Sequence, residues 1–372
     1  MNRFHVASAM FMLAASSAMA SPDKGPRVLS ADASTAAPAS QQTTVQPSDY
    51  VTGAWSLYRS VFMTPEGRIV DRENGLVSHS EGQGYGMLIA VASDDQPGFE
   101  TLWSWTERQL KVRDDNLAAW KWDPTKTPHV TDMNNATDGD LLIAWALLRA
   151  YRKWGIREYL RESQAIVGDI VRHATADSPL GKVLLPGVQG FAAVDRSDGP
   201  VVNLSYWIFP AIAELGEAMP DLRDLHLEQS GIAMLKRIAT SKEKLPSDWT
   251  SLAGGNPEPA DGFSPTFGYN AVRIPLYLAW GPDVDPKLLR SLGKPWSNEG
   301  EAGLAAVDVT TGKYTEPMIG TGYEAIRDVI SCSLTGNGSI RRAKRFEIST
   351  YFSSTLQILS LMALSERYPQ CF

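Results

Sequence analysis

Three short stretches of this chain carry side chains whose types and spacing suit acid–base chemistry. The first is His79-Ser80-Glu81-Gly82-Gln83-Gly84-Tyr85-Gly86-Met87, where a lone carboxylate stands among three glycines. Glycine lets backbone or a ligand approach where a Cβ would block it. A glutamate shielded from water in such a pocket retains its proton near neutral pH and can serve as a general acid. The competing reading is a glycine-rich turn entering a buried helix, with Glu81 as a first-turn carboxylate favoured by the helix dipole. Spacing alone leaves both open. The second stretch, Asn134-Asn135-Ala136-Thr137-Asp138-Gly139-Asp140, runs into an apolar helical pattern. Asp138 and Asp140 there suit capping and first-turn positions. They also suit holding a sugar hydroxyl or a water beside an acid. The third, Phe263 to Pro275, contains Tyr269-Asn270-Ala271-Val272-Arg273. Asn270 reads as a cap and Arg273 as a paired charge, or both stand with Tyr269 on the lip of a cleft.

Aromatic residues accompany these stretches. The chain holds 11 Trp, 12 Tyr and 11 Phe, and flat rings serve a core or stack on the C–H faces of sugars. Trp120 and Trp122, in Ala119-Trp120-Lys121-Trp122-Asp123-Pro124, are expected to divide these uses, one packing inward and one facing a cleft. Tyr206 and Tyr323, the latter in Gly320-Thr321-Gly322-Tyr323, are further candidates for sugar contact.

The elements that would position these side chains are mostly helical. Apolar residues recur at three- and four-residue intervals over 49–62, 84–94, 97–111, 138–154, 157–173, 203–217, 221–239, 270–280, 285–293, 298–306, 320–331 and 348–367. Short β-prone runs such as Val183-Leu184-Leu185 are isolated between Gly and Pro. The expectation is a large all-α domain over 47–372 with peripheral strands. Two concentric rings of helices, with long loops forming a cleft at one end, fit the pattern. So do other helical arrangements, although no fixed-period repeat points to a solenoid.

Residues 1–20 read as a secretory signal: Arg3 and His5, an apolar run from Val6 to Ala15, then Ala18-Met19-Ala20 as a small-residue cleavage site. Residues 21–46, rich in Ser, Ala, Thr, Gln and Pro, read as a flexible tether. A periplasmic or secreted protein with no membrane span after signal removal follows. In that oxidising setting Cys332 and Cys371 are able to pair, though nothing in the sequence shows that they meet. The net charge of −7 argues against nucleic acid or an anionic membrane as partner. Five His, none at ligand spacing, make a His-based metal site an unfavoured reading. No cofactor is expected.

Set together, these stretches resemble glycoside hydrolase family 8, and within it the cellulases that accompany bacterial cellulose synthesis. Ala136-Thr137-Asp138-Gly139-Asp140, continuing through Ile143-Ala144, Ala146-Leu147-Leu148 and Ala150 to Trp154, fits the family's helix signature. Ser80 to Met87 is similar to the segment carrying its acid, and Leu245-Pro246-Ser247-Asp248-Trp249 and Tyr269 to Pro275 resemble two further blocks in the right order. The resemblance implies an (α/α)6 barrel with an open cleft that cleaves β-1,4-glucan internally with inversion. It implies Glu81 as general acid and Asp138 as the signature aspartate, supporting a distorted sugar or orienting water. It also implies a setting near the cellulose synthase machinery. One position departs. Related cellulases commonly carry Asp as the base where this chain has Asn270, and an amide cannot take a proton from water. The base is then expected elsewhere, with Asp138 or Asp261 as candidates. A weakly active or non-catalytic glucan-binding accessory, or a hydrolase of chitosan or xylan, are the alternatives.

Overall fold

In a computed structural model, which describes residues 45–241, 244–296 and 304–372, helices of two kinds alternate along the chain. One kind is apolar on nearly every side and buried. It comprises α2 (Ser80–Ala92), α4 (Thr137–Trp154), α6 (Phe209–Ala218), α9 (Arg273–Trp280) and α13 (Tyr351–Arg367), with α11 (Thr321–Thr335) more half-buried. The other kind is amphipathic: α1 (Pro47–Phe62), α3 (Gln96–Gln109), α5 (Arg157–His173), α8 (Leu227–Thr240) and α10 (Pro286–Gly293), with single turns at α7 (Pro220–Arg223) and α12 (Arg341–Lys344). Helix α5 shows why. Its buried residues Tyr159, Ser163, Ile166, Val167 and Ile170 fall on one stripe, and Arg157, Glu158 and Arg161 face away.

A helix without a polar face needs cover on all sides. The buried helices obtain it by packing in a closed ring, α2 on α4, α4 on α6, α6 on α9, α9 on α11, α11 on α13 and α13 on α2. The amphipathic helices lie outside, α3 on α2, α5 on α4, α8 on α6, α10 on α9 and α11, α12 on α13, and α1 on α13 and α2. This is the (α/α)6 barrel. All strands are short and antiparallel. β1 (Ser78–His79) pairs with β2 (Lys121–Trp122), β3 (Thr175–Ser178) with β4 (Gly181–Leu184), β5 (Val201–Val202) with β6 (Thr250–Ser251) and then β7 (Glu258–Pro259), and β8 (Thr266–Phe267) with β9 (Ala305–Asp308) and then β10 (Tyr314–Pro317). Several of them sit on the loops that enter the inner helices.

Most of the expected helices are present within a few residues, and the differences have local causes. Helix α2 begins at Ser80 rather than 84, so the glycine-rich stretch is the helix itself. Tertiary packing there overrides the poor helix propensity of glycine. The segment expected as one helix over 203–217 is a 3₁₀ turn, Leu204–Tyr206, followed by α6, which starts afresh with Pro210 in its first turn. The helix expected over 221–239 is broken by His226, whose φ is 54°. The helix expected over 298–306 is corrected where it is described: Ala305–Asp308 is a strand held between β8 and β10, and 297–303 lie outside the described residues. The expected signal (1–20) and tether (21–46) also lie outside them, apart from Val45 and Gln46. Among the described residues no helix is long and apolar enough to cross a membrane.

Cys332, near the end of α11, is bonded to Cys371 in the C-terminal 3₁₀ turn, closing a separation of 39 residues. A loop of that length restricts the unfolded chain by about 4 kcal/mol in the chain-entropy description. Cys332→Ser with Cys371→Ser should therefore lower the urea midpoint, with a loss of roughly 2–4 kcal/mol. Coincident unfolding curves for variant and wild type would show the bond to be neutral.

Candidate active site

The N-terminal ends of the six inner helices meet at one end of the barrel. Each brings a polar side chain: Glu81 from α2, Asp138 from α4, Ser205 and Tyr206 from the turn before α6, Arg273 from α9, Tyr323 from α11 and Tyr351 from α13. Arg273 lies at the centre and is 2% exposed. Its Nη1 donates to Glu81 Oε1, to Asp138 Oδ2 at 3.2 Å and to the Tyr85 hydroxyl at 3.0 Å. Its Nη2 donates to Ser205 Oγ and Asn270 Oδ1, both at 2.9 Å, and its Nε to the Asn270 carbonyl at 3.3 Å. A buried cation needs such complete pairing, because an unpaired one would cost several kcal/mol. Burial still draws this guanidinium below the usual arginine range.

The carboxylates around it differ in setting. The Glu81 side chain is 20% exposed against 3% for Asp138, so of the two it is Glu81 that reaches solvent. Tyr85 donates to Glu81 at 3.2 Å and is itself bonded to Tyr277 at 2.9 Å. Asp138 accepts from the Gly139 N–H at 2.8 Å and from the Tyr206 hydroxyl. Burial pushes its carboxyl up to about 7 against those bonds, while the guanidinium 3.2 Å away favours the ionised form. Asp140 is a scaffold. It is 1% exposed and accepts from the Ala118 N–H and Asn135 Nδ2, both at 2.8 Å, fixing the two segments that flank Trp120.

The cleft above Glu81, about 680 Å³, is lined by Asp71, Glu73, His79, Tyr269, Asn270, Arg273, Glu316, Tyr323, Tyr351 and Phe352 among others. Of the sequence-derived candidates, Glu81, Tyr269, Asn270, Arg273 and Tyr323 line it, and Asp138 and Tyr206 lie behind Arg273 and Glu81. Trp120 stands one layer back, stacked on His79 at 5.9 Å with planes 10° apart. Trp122 packs on Trp105 and His129 and lies under Arg68. Both tryptophans are half-buried. The expected division into one inward and one cleft-facing ring does not occur, since residues two apart in an extended segment share a face. Asp261 is exposed and outside the cleft lining. Its N–H donates to Asp198 at 2.8 Å and its carbonyl accepts from Arg196 at 2.7 Å, beside a stack of Phe191, Trp249 and Phe263.

Several participants escaped the sequence reading. Ser205, Tyr277 and Tyr351 carry no local pattern that marks them. Asp248 had a signal, the Ser247-Asp248-Trp249 block. It accepts from the Gly268 and Ala271 N–H groups at 3.0 and 2.8 Å and from the Asn270 side chain. Asn270 is thus committed on both sides, its oxygen to Arg273 and its side chain to Asp248.

The glycines around Glu81 serve packing rather than substrate. A Cβ on Gly82 would sit 2.5 Å from the Tyr351 hydroxyl, on Gly84 2.5 Å from Leu142 Cβ, and on Gly86 2.9 Å from Ile69 Cγ1. Gly139 does the same from α4, where a Cβ would sit 2.2 Å from Ser80 Oγ and 2.7 Å from the Glu81 nitrogen. The two helix starts approach closely enough for one arginine to hold both acids.

The expected helical family emerges from comparison. This is the architecture and site of a hydrolase that works on glycosidic bonds from an open groove. The description "Glycosyl hydrolases family 8" matches residues 27–366, and the chain belongs to that family; it is a glycoside hydrolase. It is 34% identical over 322 residues to a probable endoglucanase of Novacetimonas hansenii, covering 86% of this chain and 92% of that one. It is 41% identical over 251 residues to an endoglucanase of Cellulomonas uda, covering 67% and 68%. Among solved structures, a GH8 endo-β-1,4-glucanase from an Achatina fulica gut metagenomic library superposes with a TM-score of 0.75 at 37% identity, covering 84% of this chain and 98% of that one.

Two expectations test the site. Gly139→Ala forces the starts of α2 and α4 apart, at a cost of about 1–3 kcal/mol, and should cut hydrolytic turnover alongside the fall in melting temperature. An unchanged rate would separate the glycine from the acids' alignment. For Asp140 the folded-state carboxyl, at about 7, lies above the unfolded value near 3.8, so its stability contribution is full below about pH 4 and lost as pH rises through about 7. In Asp140→Asn, urea unfolding at pH 4, 5.5 and 7 should show a shallower decline than wild type; parallel curves would contradict the assignment.

Proposed function

We propose that this protein is an exported endo-β-1,4-glucanase that hydrolyses internal bonds of cellulose with inversion, Glu81 acting as general acid. The observation that carries the reading is the shared arginine. Arg273 Nη1 contacts both Glu81 and Asp138 at the floor of an open cleft, and of these two carboxylates Glu81 is the one that lines it. Glu81 can therefore hand a proton to a glycosidic oxygen lying in the groove.

Asp138 takes a supporting part. Two oxygens that each contact one nitrogen at hydrogen-bond distance lie within about 6 Å of each other, too close for a sugar ring and an attacking water between them. An inverting pair needs roughly 6.5–9.5 Å between carboxyl groups. Asp138, braced by Tyr206 and the Gly139 N–H, is better placed to hold the sugar and balance the charge that develops on it. Tyr269, Tyr323 and Phe352 offer ring faces and edges along the groove, and Tyr351 brings a buried hydroxyl that has no hydrogen-bond partner among the described residues. The relatives named endoglucanase, with the solved GH8 endo-β-1,4-glucanase, support β-1,4-glucan as substrate. The signal-like N-terminus supports export to the periplasm or beyond, with editing of nascent cellulose beside its synthase as the setting.

Purified protein should release reducing ends from carboxymethylcellulose faster than from xylan or chitosan, and the first-formed anomer should be α by NMR. Glu81→Gln should lose about 10²–10⁴-fold in kcat while still binding cello-oligosaccharides. Binding without cleavage by the wild-type chain would instead identify a glucan-binding accessory.

A further inference from the structure

With Glu81 as the acid, the reaction still needs a group on the far wall to take the proton from water, and Asn270 is unable to do so. Four carboxylates line the cleft: Asp71, Glu73, Glu81 and Glu316. Asp71 is 6% exposed and accepts from the Glu73 N–H and Asn74 Nδ2. Glu73 Oε2 accepts the Tyr351 N–H at 2.9 Å, tying it to the start of α13. Glu81 is occupied by Arg273 and Tyr85. Glu73 and Glu316 each keep one carboxylate oxygen without a hydrogen-bond donor among the described residues, and Glu316 differs in being tied to the Tyr269 side chain, next to Asn270. Its Oε1 accepts from the Tyr269 hydroxyl at 2.9 Å, its Oε2 has no hydrogen-bond donor among the described residues, and the residue is exposed to the groove.

Its carrier is also well placed. Glu316 lies on β10, which pairs with β9, which pairs with β8. β8 runs directly into Tyr269 and Asn270, so a single sheet fixes Glu316 against the wall that Asn270 occupies. Tyr269 orients one oxygen and leaves the other free to meet a water.

We propose that Glu316 is the base of the hydrolysis, in place of the residue at 270. This rests on the glucanase reading. The ionised Glu316 carboxylate removes a proton from water as the water oxygen bonds to the anomeric carbon. The bond from that carbon to the glycosidic oxygen breaks, and that oxygen takes the proton of Glu81. Glu316 ends protonated and Glu81 ionised, and exchange with solvent restores both. Tyr269 is a positioning residue that acts through Glu316.

The test compares Glu316→Gln and Glu316→Ala with wild type on carboxymethylcellulose. In Glu316→Gln, kcat should fall about 100-fold or more, KM should move by less than about threefold, and the acidic limb of the pH–rate profile should disappear. Melting temperature and cellopentaose binding should stay unchanged, and added formate should restore part of the rate in Glu316→Ala. Tyr269→Phe should shift the acidic limb while keeping most of kcat. An active wild type with a Glu316→Gln variant that keeps its rate and its acidic limb overturns the base assignment alone. A loss expressed only in KM does so too, since it would make Glu316 a sugar contact. A wild-type chain that cleaves no β-glucan overturns the glucanase reading and the base with it.

Discussion

A buried guanidinium holds this site together. Arg273 has five N–H donors to satisfy and is only 2% exposed, so the elements around it must arrive in register. It gathers Glu81 from α2, Asp138 from α4, Ser205 from the turn before α6 and Asn270 from the approach to α9. Two acids held so close would repel each other without the cation, and the cation would be prohibitively costly to bury without the acids. The close packing of α2 on α4 through Gly84 and Gly139 supplies the short distances this arrangement needs.

The paired Asp138 and Asp140 show how position along one helix separates roles. Both are buried first-turn residues of α4, and burial pushes both carboxyls up to about 7. Asp138 faces the arginine and the tyrosines of the site. Asp140 faces the chain behind it and holds Ala118 and Asn135, so its contribution to the cleft passes through the placement of Trp120 and His79.

Much of the fold was legible because apolar periodicity survives in both rings, and the inner helices announce themselves by having little polar face. The glycines around Glu81 misled at one level: they resemble turn residues locally, and only the neighbours at Leu142, Ile69 and Tyr351 explain why a helix needs them. Glu81, Asp138 and Arg273 were legible through the resemblance to a known family, whereas local spacing left each with an ordinary structural reading. Ser205, Tyr277 and Glu316 were silent because long-range packing alone brings the first two to Arg273 and Tyr85 and the third to the groove. The proposed place of Asp261 failed to find support for the same reason, since nothing in the sequence tells which loop folds over the cleft and which, like that of Asp261, folds back on Arg196 and Asp198.

The convergence of six helix starts has an implication for how such a catalyst can change. Each wall of the groove is furnished by a separate helix entry with its own loop, and the arginine beneath ties together the entries of α2, α4, α6 and α9. A residue on one wall is therefore replaceable without moving the others, provided the guanidinium keeps a partner there. Asn270 meets that condition: its amide oxygen still accepts from Arg273 where a carboxylate oxygen would otherwise do so. The barrel behaves as a socket whose pins sit on separate loops, and chemistry can migrate from one pin to its neighbour while the fold stays still.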